Sequence, residues 1–142
     1  MPLCDEVIVA VGNSEDGTLE YIQSFDDPKI KILETVWDDS LGVGGKVLAD
    51  ETNKALEAVS SDSDWCIYIQ ADECLHEEDY DSLRSAMLEY KDDRNVDGLL
   101  QKYRHFYGSY DYVGSADSWY PYEIRVVKND SSIRSFQDAQ GF

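Results

Sequence analysis

Trp65-Cys66-Ile67-Tyr68-Ile69-Gln70-Ala71-Asp72-Glu73 is an apolar, aromatic and β-branched run that passes without a spacer into two carboxylates. Such a run reads as a strand buried on both faces, the kind found inside parallel sheets. The turn directly after it puts Asp72 at the carboxyl end of that strand, where open α/β sheets bind their ligands. Before the strand, Val47, Leu48, Thr52, Ala55, Leu56 and Val59 recur at helical spacing. That helix follows the flexible Leu41-Gly42-Val43-Gly44-Gly45 loop and ends in Ser60-Ser61-Asp62-Ser63-Asp64.

Further back, Val7 to Val11 is a second nearly unbroken apolar run, entering the turn Gly12-Asn13-Ser14-Glu15-Asp16-Gly17-Thr18. Asp16 or Thr18 caps a helix carrying Leu19, Ile22 and Phe25, and Asp26-Asp27-Pro28 stops it before a strand at Ile30 to Leu33. Downstream, Tyr80, Leu83, Met87 and Tyr90 mark one face of a further helix. A strand around Asp97 to Phe106, a Tyr- and Gly-rich turn and a strand around Tyr122 to Val127 complete the pattern. Strands separated by helices of crossover length predict an α/β fold, a mainly parallel sheet with helices on both faces.

The 142 residues fall within the size of one domain, and 42% hydrophobic content with ten Tyr and three Trp supplies a core. Thirty Asp and Glu against 12 Lys and Arg give a formal charge of −18, spread along the chain, which excludes nucleic acid as a partner on electrostatic grounds. An anionic nucleotide approaching such a surface needs a divalent cation or a local group of donors. Cys4, Cys66 and Cys74 form no CxxC pair, so neither a disulfide framework nor a zinc site is implied, and Cys66 reads as a core residue. No run approaches the roughly 18 apolar residues of a membrane span, and the first residues lack the features of a signal peptide. The expected address is cytoplasmic, with membrane association reserved for a longer parent.

The order of these pieces carries a resemblance. An apolar strand into Ser14-Glu15-Asp16-Gly17-Thr18, then a helix holding Asn53, then a strand ending in Ala71-Asp72-Glu73 resembles the family 2 glycosyltransferases of the GT-A fold. The family pattern is Ser-x-Asp-Gly-Thr, a later helical Asn, and Asp-x-Asp at a strand end, and the match spans roughly the first half of the chain. Glu123-Ile124-Arg125-Val126-Val127-Lys128 looks like the Arg-containing strand of bacterial members that build surface polysaccharides and lipooligosaccharides.

The resemblance implies transfer of a sugar from a nucleoside-diphosphate sugar to the hydroxyl of a glycan or lipid-linked acceptor, with inversion. Negative charge develops on the departing diphosphate, and Mg or Mn held by a carboxylate neutralises it. By position Asp72 is that carboxylate; as a plain reading of the turn, Asp72 and Glu73 instead cap the next helix. Gln70 stands where the family has its first Asp and brings hydrogen bonding but no charge. Val11 stands where many members carry an Asp near the nucleobase. Asn53 matches a residue that positions the loop near the nucleotide, and Asp16 one that braces the nucleotide-site loop. Lys46, after the Gly-rich loop, offers a charge to a phosphate or is simply solvated.

For the base that deprotonates the acceptor, the candidate is Asp138, with Glu123 second; the bland reading of Glu123 is a salt bridge to Arg125 or Arg104. Tyr103 to Tyr110 with Trp119, Tyr120 and Tyr122 either offers aromatic faces and hydroxyls to a sugar or packs in the core and turns. His76 reads as a helix-start residue. On this reading residues 1–75 are the nucleotide-sugar-binding part and 76–142 the start of the acceptor side. The family's first strand and helix find no counterpart before Asp5, which predicts a partial domain, inactive alone and inclined to pair as a homodimer. The alternative is a non-catalytic GT-A-like binding or interaction domain.

Overall fold

The computed structural model describes residues 2–42, 45–114, 119–137 and 142. In it the chain is an α/β domain of three small sheets. Strand β1 (Val7–Val11) leads through helix α1 (Thr18–Gln23) to β2 (Ile30–Glu34), and the two strands pair in parallel, Val7 opposite Ile30 and Val11 opposite Glu34. Helix α2 (Lys46–Glu57) then leads to the short strand β3 (Trp65–Ile67), and α3 (Tyr80–Tyr90) follows a single 3-10 turn at Glu77–Asp79. Next come β4 (Gly98–Lys102), a hairpin of β5 (Phe106–Tyr107) and β6 (Ser109–Val113), and the long strand β7 (Tyr122–Lys128).

The mainly parallel sheet predicted from the strand and helix alternation is corrected here. Among the described residues only β1 and β2 run parallel; β7 inserts between β3 and β4 and pairs antiparallel with both. Alternation constrains neighbours in sequence, whereas β7 reaches its place from a distance and reverses the local direction. Val126, with no exposed surface, and Val127 make β7 the centre of the core, joined by Cys66, Val11, Ala49 and Leu83. Of the face the spacing indicated, Thr52 is buried while Leu48 stays 39% exposed, and Ala49 and Glu51, outside that set, are buried as well. Among the described residues no helix is long and apolar enough to cross a membrane.

Local chemistry explains the turns. The Asp16 carboxylate accepts from the Thr18 backbone N–H at 3.1 Å and its hydroxyl at 2.6 Å, which satisfies a donor at the start of α1. Trp37, after β2, lays its indole across the Gly12 backbone, so any Cβ at position 12 would collide with the ring. Gly12→Ala is therefore expected to expel the indole, red-shift its emission and cost about 1 kcal/mol, since Trp37 is already 42% exposed. Fluorescence with urea unfolding checks this, and an unchanged spectrum would contradict the close approach.

Candidate functional site

The carboxyl ends of β1, β2 and β3 converge on one turn of α2. Thr35, whose N–H bonds the Val11 carbonyl at 2.9 Å, donates its hydroxyl to the buried Glu51 carboxylate. The next residue of α2, Thr52, meets the Tyr68 hydroxyl at 3.3 Å just beyond β3. One turn of helix thus contacts both Thr35, which bonds the Val11 end, and Tyr68.

Residues 68–73 wrap a buried arginine. Arg125, 3% exposed, is the one cation in the apolar stretch of β7 and shares the inward face with Val127. Its Nη2 donates to Glu73 Oε1 at 2.9 Å, and its Nε to Glu73 Oε2 at 3.2 Å and to the Tyr103 hydroxyl at 2.8 Å. The guanidinium lies over the Tyr68 and Tyr103 rings, 5.2 and 5.3 Å from their centres. Glu123 stands 3.9 Å away, the salt bridge foreseen as its plain reading. Burial by itself would push the Glu73 carboxyl up, but the Arg125 and Tyr103 hydrogen bonds and the Gln70 N–H hold it below the usual carboxylate value. Burial and the neighbouring Glu73 carboxylate together raise Tyr103, which stays a neutral phenol.

Glu73, rather than Asp72, is the carboxylate fixed by the fold. Its Oε2 also accepts the Gln70 N–H at 3.1 Å, closing the turn on itself, and the Gln70 side chain donates to the Tyr68 hydroxyl at 3.1 Å. Asp72 sits at the outer corner of this turn, exposed, with no hydrogen bond or ion pair among the described residues. Its charge still reaches Tyr120, whose phenol is raised chiefly by burial and then by the surrounding carboxylates, Asp72 included.

The other sequence candidates fall as follows. Val11 is buried at the end of β1, a core residue. Asn53 is half-buried and pairs twice with the backbone of Ser135, donating to its carbonyl at 2.9 Å and accepting its N–H at 2.8 Å. That pair anchors α2 to the segment leading towards Asp138, which itself lies outside the described residues. Lys46 is exposed at the start of α2. His76 accepts the Glu78 N–H through Nδ1 at the start of the 3-10 turn, a helix-start histidine. The structure thus gathers Gln70 and Asp72 in one turn, while Asn53 pairs with Ser135.

Among the described residues no three His, Cys, Asp or Glu side chains gather as a metal site. Asp72 alone fits a cation only in the way hard divalent ions often bind, through one carboxylate together with phosphate oxygens and water. The clamp on Glu73 was missed by the sequence reading, though a signal existed: an arginine on the same strand face as a core valine requires a carboxylate partner. No family model, no curated protein and no solved structure matches this chain.

Proposed function

We propose that the chain carries the nucleotide-sugar-binding part of a family 2 glycosyltransferase of the GT-A fold, an enzyme transferring a sugar with inversion in cell-surface glycan synthesis. The observation that carries this reading is the 68–73 turn: Arg125 neutralises Glu73 and locks the loop, while Asp72 beside it keeps an unshared carboxylate in solvent. A locked loop with one free charge at a strand end suits a ligand that brings its own phosphates and cation. The ordered Ser14 to Thr18, Asn53 and Asp72 pattern supports the same reading.

In this reading Asp72 would hold Mg or Mn jointly with the diphosphate, and the cation supplies charge neutralisation to the leaving group. Gln70 offers its amide to a ribose or sugar hydroxyl. The acceptor oxygen attacks the anomeric carbon, the bond to the diphosphate oxygen breaks, and Asp138 takes the acceptor proton. Asn53 holds the Ser135 backbone and thereby sets where that segment begins.

Calorimetry with UDP and GDP tests the proposal. Without nucleotide, Mn or Mg should give no saturable heat, because one carboxylate is too few ligands. With nucleotide, the cation should tighten binding by about tenfold or more, and Asp72→Asn should remove that gain without lowering Tm, since Asp72 supports no other contact. Nucleotide binding that is equal with and without cation, or equal in the variant, favours the non-catalytic binding domain instead.

A further inference from the structure

Residues 106–113, the whole β5–β6 hairpin, are exposed, although they include Phe106, Tyr107, Tyr110, Tyr112 and Val113. Tyr110 is 82% exposed and Tyr107 73%, values unusual for aromatic side chains that normally contribute large buried areas. An isolated hairpin is marginal in water. This one is held at its base, where the Gly114 N–H bonds the His105 carbonyl at 2.8 Å and His105 pairs with the Tyr120 carbonyl at 2.7 Å.

Trp119 completes the arrangement. Its indole stacks on His105 with centres 5.0 Å apart and packs so closely on Gly114 that a Cβ there would meet the ring at 2.9 Å. The indole is therefore fixed, yet 43% of Trp119 remains exposed. Between it and the hairpin lies a groove of about 580 Å³, lined among the described residues by Tyr107, Ser109, Tyr112, Val113 and Trp119 with two glycines. That volume falls within the range of small-ligand sites, about 300–1,000 Å³.

The lining decides the class of occupant. It offers aromatic faces and the hydroxyls of Tyr107, Tyr112 and Ser109, the last also bonded to the neighbouring Asp111 at 3.4 Å, and among the described residues no cation. An aromatic face is negative and attracts the polarised C–H face of a pyranose, while Tyr and Ser hydroxyls suit the sugar's equatorial edge. Phosphorylated or acidic ligands would meet no cation here and a chain of charge −18 around it. A second copy brings the same −18 and the same repulsion. We propose that this groove binds a neutral saccharide chain, with Trp119 and Tyr112 as stacking faces and Tyr107 and Ser109 as polar contacts. Calling that saccharide the acceptor rests on the transferase reading above; the binding itself does not.

The test uses the whole chain without nucleotide or metal, titrated with maltohexaose, cellohexaose and chitohexaose while the indole N–H signals of Trp37, Trp65 and Trp119 are followed by NMR. At least one saccharide should shift Trp119 and the hairpin amides saturably in the millimolar range and leave Trp65 unmoved. Tyr112→Ala and Trp119→Ala should each weaken binding by about tenfold, Tyr112→Phe much less, with unchanged circular dichroism. Cation-dependent UDP or GDP binding should survive in Tyr112→Ala, so failure here and failure at Asp72 are separable. No shift with any of the three, equal shifts in Tyr112→Ala, or light scattering showing the hairpin covered by a second copy would overturn the proposal.

Discussion

Arg125→Met should cost the fold about 3–5 kcal/mol, because it removes the cation from a buried pair and leaves its carboxylate behind. Arg125 is 3% and the Glu73 side chain 14% exposed, so water cannot take over the lost contacts. Met fills a similar volume, which keeps the loss from being a cavity effect and assigns it to the unpaired Glu73 and the orphaned Tyr103 hydroxyl. Lys in the same place keeps the charge but not the fork that serves both Glu73 oxygens, so Arg125→Lys should recover only part of the loss. Glu73→Gln alone should also destabilise, and the Arg125→Met/Glu73→Gln double variant should be more stable than the sum of the singles, since neither charge is then stranded. Urea unfolding and thermal melts of the wild type and the four variants check this, with a fall in Tm of roughly 10 °C or more expected for Arg125→Met. Additive losses would mean that the two groups do not act as a pair.

The same residues show how far sequence reading reaches. Runs of apolar residues mark β1, β2, β3 and β7 within a residue or two, except that β3 stops at Ile67 where the run continues to Ile69. The Tyr68 N–H still bonds the Arg125 carbonyl of β7 at 2.8 Å, and the chain then turns where Glu73 closes back on Gln70. Pairing was not legible. β3 lies beside β7, some sixty residues later, and nothing local to Trp65 or Val126 encodes that neighbour. The Asn53–Ser135 pair likewise spans 82 residues, so a helical Asn was visible but its partner was not. At the site, the strand-end carboxylates were legible as a pair, and their division of labour was not. Glu73 bonds back to Gln70 and across to Arg125, while Asp72 at the corner of the turn points to solvent, a distinction set by turn geometry and β7. The aromatic run after β4 was open between core and surface, because composition alone does not say whether a Tyr-rich turn is covered.

Stability should be lost on acidification below about pH 4.3, as two paired glutamates take up protons. They are Glu73 and Glu6. Glu6, side chain 13% exposed, accepts from Lys31 of β2, from the Ser60 N–H at 2.6 Å and from the Ser63 hydroxyl at 3.4 Å. It thus ties the start of the parallel pair to the approach of β3, two sheets that no backbone ladder joins among the described residues. Its carboxyl is held below the ordinary value, first by the Lys31 hydrogen bond and then by the Ser60 N–H. Both glutamates therefore have folded values below their unfolded ones, near 4.3 for a free Glu. The unfolded chain binds more protons in that window, so their contribution is complete above about pH 4.3 and disappears as pH falls through the lower folded values. At pH 7 the −18 charge repels itself across the surface. There, raising NaCl from about 0.05 to about 0.5 M should raise Tm by screening the repulsion. Glu6→Gln and Glu73→Gln should each lower Tm at pH 7 and flatten the acid limb, because the group whose protonation drives it is gone. Circular dichroism melts from pH 3 to 8 at the two salt concentrations measure all of this. A Tm that falls with salt at pH 7, or an acid limb equally steep in both variants, would show that repulsion and these two carboxylates do not set the stability of the domain.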